Sequence, residues 1–510
     1  MIKHVSTTAL VSMGLALALL LSACSGTAGT GPSDSPQSNG DTLKVAVGND
    51  LSTGDPAMTG SPADMNILVN IFDSLTRRDQ QGKLTPGLAL KWVLKDPTTW
   101  EFTLRPDVKF SNGEAFDAST VKYSIERVIN NPKSPVQELK AVKEVKVVSP
   151  TQVEIISSTP DPSIPAKVAL FGGMMVPQKY IEQHDDSYFA NHPIGTGAYT
   201  MESWARGSNV GLVANPEYWG AKPAIQKIDI RYIPDSSTRV AALLNKEVNL
   251  ITAVPASDAA RLESQSNIAL DKAPGIRIYY VSIAADSGPL ANPVVRQALS
   301  YATDTQALVK GLLQGNGTLI GAPLATSSYG NDVAPDPYKY DLAKAKSLLA
   351  SAGLADGFTV EFDTTGELYQ QIAVAVSQMW AKVGVTANVK VLPDTTFDDL
   401  YSKGALSPAW VNGYSVWQGD PTTLIGTFFR SGMPRSHYNS SALDIKIDAL
   451  KTETDAPNRL TTMKNVLTTL HQDAPWIYAF QAGDLYARSA NLNWQAPTNQ
   501  LLYLNEASWK

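Results

Sequence analysis

The side chains suited to covalent, acid–base or metal chemistry are few and scattered in this sequence. The five histidines, His4, His184, His192, His437 and His471, lack the short ligand spacings that hold a metal ion. A single cysteine, Cys24, cannot form an internal disulfide or build a cysteine-rich zinc site, so any chemistry it does is its own. Ser119-Thr120-Val121-Lys122 has the SxxK spacing in which lysine helps to activate a serine nucleophile, but the SDN and KTG partners are missing. The stretch reads more simply as a helix started by Asp117 or Ser119, with Val121, Ile125 and Val128 on its buried face. The acidic pairs Asp185-Asp186 and Asp398-Asp399 carry no spacing that marks glycosidase carboxylates and read as solvated surface. The sequence contains no GxxxxGK[ST], HExxH, GxSxG or EF-hand loop, so neither a cofactor nor a metal is expected.

The elements that would position a site are those of a large globular α/β or α+β chain. Its 510 residues suffice for about three core-sized units without disulfides or metals. With 42 basic and 48 acidic residues the net charge is −6, which argues against a nucleic-acid partner, because no basic surface is available to neutralise phosphates. Leu43, Val45 and Val47 alternate with Lys44 and Ala46, so Thr42 to Val47 reads as a first strand. It is ended by the turn-rich segment Gly48 to Pro56, which could face a cleft. Asp341 is placed to cap a helix whose Leu342, Ala345, Leu349 and Ala352 share one face, with Gly353 just past its end. Val295, Ala298, Leu299 and Ala302 form a similar stripe after the Asn292-Pro293 turn, and Leu368, Ile372, Met379 and Val383 another. All three stripes read as core.

The amino terminus has the layout of an export signal: Lys3, an apolar run from Ala9 to Leu21, then small residues before Cys24. The run is short for a membrane span. Leu21-Ser22-Ala23-Cys24 resembles the bacterial lipobox, which implies a signal peptide over 1–23 and a diacylglyceryl group on Cys24. Several acyl chains on one cysteine give stable anchoring. Ser25 to Gly40, rich in Gly, Ser, Thr and Pro, reads as a solvated tether. The expected location is a cell membrane, lipid-anchored and facing outside the cytoplasm.

Beyond the tether, an ordered set of segments resembles the extracytoplasmic solute-binding proteins of ABC importers, the family that includes oligopeptide-, dipeptide- and nickel-binding proteins. The segments are Pro86 to Ala89, Trp100 to Arg105, Val108 to Gly113 and Val121 to Ser124, then Gly195-Thr196-Gly197-Ala198-Tyr199 and Asn215 to Gly220, then Val295 to Ala302 and Asp341 to Gly353. The glycines at 195 and 197 suit tight turns, and Tyr218 and Trp219 offer large buried area. The resemblance implies an α/β, two-lobed, Venus-flytrap fold with an extra subdomain in the first lobe. It implies a first lobe over 41–274, with the inserted subdomain over about 85–190. A second lobe follows over 275–475, with crossings near Pro274-Gly275 and Pro475-Trp476, and 476–510 returns to the first lobe. A ligand would lie between the lobes and be enclosed as they close, for delivery to a membrane permease. A monomer is expected, because one protein face must dock on the permease. The alternative from another class is a cell-wall enzyme acting on peptides or glycans, for which Ser119 would be the nucleophile.

The same resemblance points to ligand-contacting residues. Peptide-binding members carry a Gly-Trp-x-x-Asp-x-x-Asp-Pro segment whose first acid holds the peptide ammonium. The matching stretch is Gly413-Tyr414-Ser415-Val416-Trp417-Gln418-Gly419-Asp420-Pro421, with Trp417 at that acidic position. Indole offers an apolar face and a cation–π contribution where a carboxylate would offer a charge-assisted hydrogen bond. Dipeptide-type members place an arginine near Asp363 to Tyr369, and this chain has Glu367 and no arginine there. The expected ligand is thus less zwitterionic than a short free peptide. The candidate contacts are Tyr414, Trp417, Asp420 and Asn412, with Asp55 on the facing Asp50–Asp55 loop and Tyr369 beside Glu367.

Overall fold

The computed structural model describes residues 42–510; the signal, Cys24 and the tether lie outside the described residues. Thr42–Val47 is the parallel partner of both Lys227–Tyr232 and Leu250–Ile251. It lies inside a seven-stranded mixed sheet that runs 268–273, 484–489, 250–251, 42–47, 227–232, 209–214, 199–205. Leu43, Val45 and Ala46 are completely buried, as expected of an interior strand covered on both faces.

A second, six-stranded sheet runs 317–318, 476–482, 277–283, 409–415, 358–364, 385–391. Helices cover it with the faces their sequences specify. Val295, Ala298, Leu299 and Ala302 are all buried in its core, and Asp341 accepts a hydrogen bond from the Lys344 amide at 2.9 Å as the cap of Leu342–Ser351. Of the expected stripe, Ile372 in the helix Glu367–Ala381 and Val383 just past its end are buried in this core, but the inward face is rotated from the one the periodicity suggested. Ile372, Ala373, Val376 and Trp380 are buried, while Leu368 and Met379 only flank the core. The reason is Trp380, which stacks on Phe362 at 5.6 Å and whose indole N–H donates to Thr303 Oγ1 at 3.0 Å, so the largest side chain sets the helix rotation.

A four-stranded antiparallel sheet, in the order 89–96, 99–104, 152–157, 142–149, has a core of its own that includes Phe102, Phe110, Val121 and Ile125. The SxxK serine and lysine belong to the helix that covers this sheet, Ala118–Ile129. Ser119 Oγ donates to its cap Asp117 at 2.5 Å, and Lys122 Nζ reaches Glu126 at 2.6 Å and the Val145 carbonyl at 3.0 Å. Both side chains are thus committed to the helix and its sheet: the hydroxyl serves the cap at Asp117, and Lys122 is drawn to Glu126 and Val145 and not to Ser119.

The chain passes from the first sheet to the second between Ala273 and Arg277. It returns between Ala482 and Asp484, not at Pro475-Trp476: Trp476–Ala482 is a nearly fully buried strand paired with Arg277–Ile283, so the proline precedes a strand of the second sheet. Gly275 has φ +70°, and a Cβ there would stand 2.5 Å from the Ala482 carbonyl oxygen, so glycine is required where the two crossings touch. Gly195 and Gly197 serve close approach and not a left-handed turn. A Cβ on Gly195 would lie 2.0 Å from the Ile71 carbonyl oxygen, and the Gly197 amide donates to that same oxygen at 2.8 Å.

At the return crossing, burial raises the Asp484 carboxyl to about 6, although Gln500 donates to both its oxygens at 2.8 and 2.7 Å. The folded state therefore holds a proton that the unfolded chain releases near pH 4, so this group's contribution to stability falls as pH rises from about 4 to about 6. Asp484→Asn is expected to gain about 2–3 kcal/mol relative to wild type across that interval, measured by urea unfolding at pH 4, 5, 6 and 7.

Candidate functional site between the lobes

A cavity of about 110 Å³ lies between the two lobes. Pro62, Met65, Glu138 and Phe171 line it from the first lobe, and Tyr414, Trp417 and Leu424 from the second. Two of the residues singled out from sequence, Tyr414 and Trp417, are therefore side by side in its wall. Trp417 leaves the end of the strand Ala409–Ser415 and packs, half-buried, against the apolar core of the first lobe. Tyr414 meets Phe428 edge-on at 5.6 Å. Its hydroxyl pKa is raised by burial, with the negative charge of Glu138 adding to the shift and Arg435 opposing it.

Asp420 also borders this cavity, but its carboxylate is engaged. One oxygen accepts from the Thr422 amide at 2.9 Å, at the start of the helix Thr422–Phe429, and the other from Arg459 at 2.7 Å. Burial acts to raise its pKa, yet the charge of Arg459 and the hydrogen bonds of Thr422 outweigh it and hold the group below the usual carboxylate range. Asp420 thus fixes the loop that carries Trp417. That loop is also held from the first lobe, where Arg78 donates to the Gln418 carbonyl oxygen.

The remaining candidates sit elsewhere. Asn412 is buried outside the cavity wall, and its side-chain oxygen accepts from the Gly413 amide at 2.7 Å. Asp55 is wholly buried and bound by both terminal nitrogens of Arg127 at 2.8 and 2.6 Å, while Arg127 also meets Asp186 at 2.6 Å. It borders a separate hollow with Thr53 and Asn130, so it does not face Trp417. Tyr369 accepts from Arg277 at 2.6 Å, and Glu367 is exposed. A cation thus stands beside Tyr369 after all, delivered by a strand 92 residues earlier, and the lack of a local arginine does not make that spot anion-repelling. Sequence reasoning missed Met65, Phe171 and Glu138, which lie in no motif and reach the cavity only through the tertiary fold.

The glycine and tryptophan segments that carry the family resemblance converge away from this cavity, on buried Asp73. Trp219 Nε1 donates to it at 2.7 Å and Thr196 Oγ1 at 3.1 Å, and Arg105 stands 4.4 Å over the Trp219 ring. These residues build the first lobe.

Two α/β lobes joined by two crossings enclose an aromatic cavity that can hold a small solute, the architecture of a solute-binding protein. The chain belongs to the bacterial extracellular solute-binding proteins, family 5, whose family description, "family 5 Middle", matches residues 83–434. It is 26% identical to the probable D,D-dipeptide-binding periplasmic protein of Escherichia coli K12, over 86% of this chain and 88% of that one. It is 28% identical to the glutathione-binding protein of Pectobacterium atrosepticum, over 85% and 87%. Among solved structures, HbpA2 from Haemophilus parasuis superposes with a TM-score of 0.83 at 24% identity, covering 92% of this chain and all of that one. Family membership places the protein outside the cytoplasm, and no described helix is long and apolar enough to cross a membrane.

Asp420→Asn leaves the Arg459 guanidinium buried without its counter-charge. It is expected to cost about 3–5 kcal/mol in urea unfolding at neutral pH, whereas an exposed ion pair such as Lys403–Asp399 should cost under about 1 kcal/mol when broken.

Proposed function

We propose that this chain is a lipid-anchored binding protein that captures a peptide-like or other small solute between its lobes and hands it to an ABC permease. The observation that carries this reading is the cavity walled by Tyr414 and Trp417 from one lobe and by Met65 and Phe171 from the other. A solute held there contacts both lobes at once, so binding energy favours their closed arrangement. Tyr414 and Trp417 are the proposed ligand contacts, with Asp420 positioning their loop. Asn412 and Asp55 act as structural supports, and Tyr369 with Arg277 forms a polar group beyond the cavity wall. The printed ligands of the relatives, a D,D-dipeptide and glutathione, support a peptide-like solute.

The proposed first lobe runs from residue 41 to 274 with the subdomain inserted over about 85–190; the second runs from 275 and returns at Gly483. Attachment rests on Leu21-Ser22-Ala23-Cys24, with acyl chains on Cys24 holding a monomeric protein at the outer face of the membrane and 24–40 as the tether.

Two measurements test the reading. Trp417→Ala is expected to weaken capture of the co-purifying solute at least about tenfold, as large aromatic contacts in such pockets do. Native against denaturing mass spectra of the two proteins report it. Cys24→Ser is expected to move the protein from the membrane fraction to the soluble one on cell fractionation, and retention at the membrane would remove the lipid anchor from the proposal.

A further inference from the structure

Among the described residues, no basic side chain lines the cavity. Its two acidic residues differ in kind: Asp420 is neutralised by Arg459, whereas Glu138 makes no ion pair among the described residues. Glu138 is partly exposed as a residue, yet its Oε2 is shut off from solvent and has no hydrogen-bond partner among the described residues. Its charge is felt by Tyr414, and three aromatic rings line the same cavity, Tyr414 and Trp417 from the second lobe and Phe171 from the first. Arg435, which also acts on Tyr414, stands 4.6 Å over the Tyr401 ring and does not line the cavity.

A sealed carboxylate oxygen without a donor is costly, and a ring face attracts positive charge. On the reading that this cavity is the solute site, we infer that Glu138 receives a positively charged ammonium group of the ligand, with the Trp417 and Tyr414 rings enclosing the cation's apolar neighbourhood. The anion therefore comes from the first lobe, whereas the loop carrying Trp417 comes from the second. A cationic ligand would bridge them, so the lobe contact itself carries the charge selectivity. The class assigned is a small primary amine with an adjoining apolar group, whether it is a peptide amino terminus or a free amine.

Isothermal titration of the full mature chain with three matched probes tests this. They are phenethylammonium, its neutral N-acetyl derivative and the anionic 3-phenylpropionate, to which the amino-terminal ammonium of alanyl-phenylalanine amide is added as the peptide source. Wild type should bind at least one of the two ammonium probes more tightly than either the neutral or the anionic probe. Glu138→Gln should weaken that ammonium probe at least about tenfold while leaving the neutral probe within about twofold, which also reports an intact fold. Equal binding of ammonium probes by Glu138→Gln, preference for the neutral or anionic probe, or no binding of either ammonium probe by wild type overturns the assignment. Trp417→Ala separates the two levels. Loss of ammonium binding in Trp417→Ala without loss in Glu138→Gln removes only Glu138, whereas unchanged binding in Trp417→Ala removes the cavity as the solute site.

Discussion

Two lobes of this size are joined by two short crossings, and one buried amide ties those crossings together. Gln481 is wholly buried; its Nε2 donates to the carbonyls of Pro274 at 3.0 Å and Gly275 at 2.8 Å, and its Oε1 accepts from the Thr326 amide at 2.8 Å. An unmade bond at such a site would carry the full desolvation cost of the group, so the two crossing segments are held as one unit. The close contact of Gly275 with Ala482 and Asp484 belongs to the same knot. The relation between the cavity walls follows from it, since the strand Arg277–Ile283 begins at the knot and pairs directly with Ala409–Ser415, which ends at Tyr414 and the Trp417 loop.

From the knot outward, polar groups are used in two ways. Asp73, Asp55 and Asp420 are each buried and surrounded by donors: Trp219 and Thr196 for the first, Arg127 for the second, Arg459 and Thr422 for the third. Such satisfied networks fix backbone geometry, because removing one partner strands the other. Glu138 is the contrast, a carboxylate oxygen closed off without a donor, and it stands in the interlobe cavity. Asp420 and Glu138 both border the cavity, and their partners distinguish them: Arg459 and Thr422 hold the first, whereas Oε2 of the second has no donor among the described residues.

The two-lobed α/β class was legible in the sequence because its signals are local or ordered along the chain. Alternation marks Thr42–Val47, capping marks Asp341, and a four-residue stripe marks the buried face of the helix Pro293–Ala302. Tyr414 and Trp417 were reachable through the segment around them. What sequence could not give was anything made by long-range pairing. Arg277 meets Tyr369 only because strand and helix fold together, and Glu138 is one acid among 48 until the first lobe carries it to Trp417's cavity. The return crossing was misplaced for a related reason: Pro475 looks like a boundary, but the apolar run after it is completed as a strand by its partner Arg277–Ile283.

A lobe-bridging solute should leave its mark on both walls at once. Amide hydrogen exchange of the mature protein, with and without its co-purified solute, tests that directly. Slowed exchange is predicted together in the segments 136–139 and 415–420, which border the cavity from opposite lobes. Protection confined to one lobe, or appearing at a surface remote from Trp417, would contradict capture between the lobes.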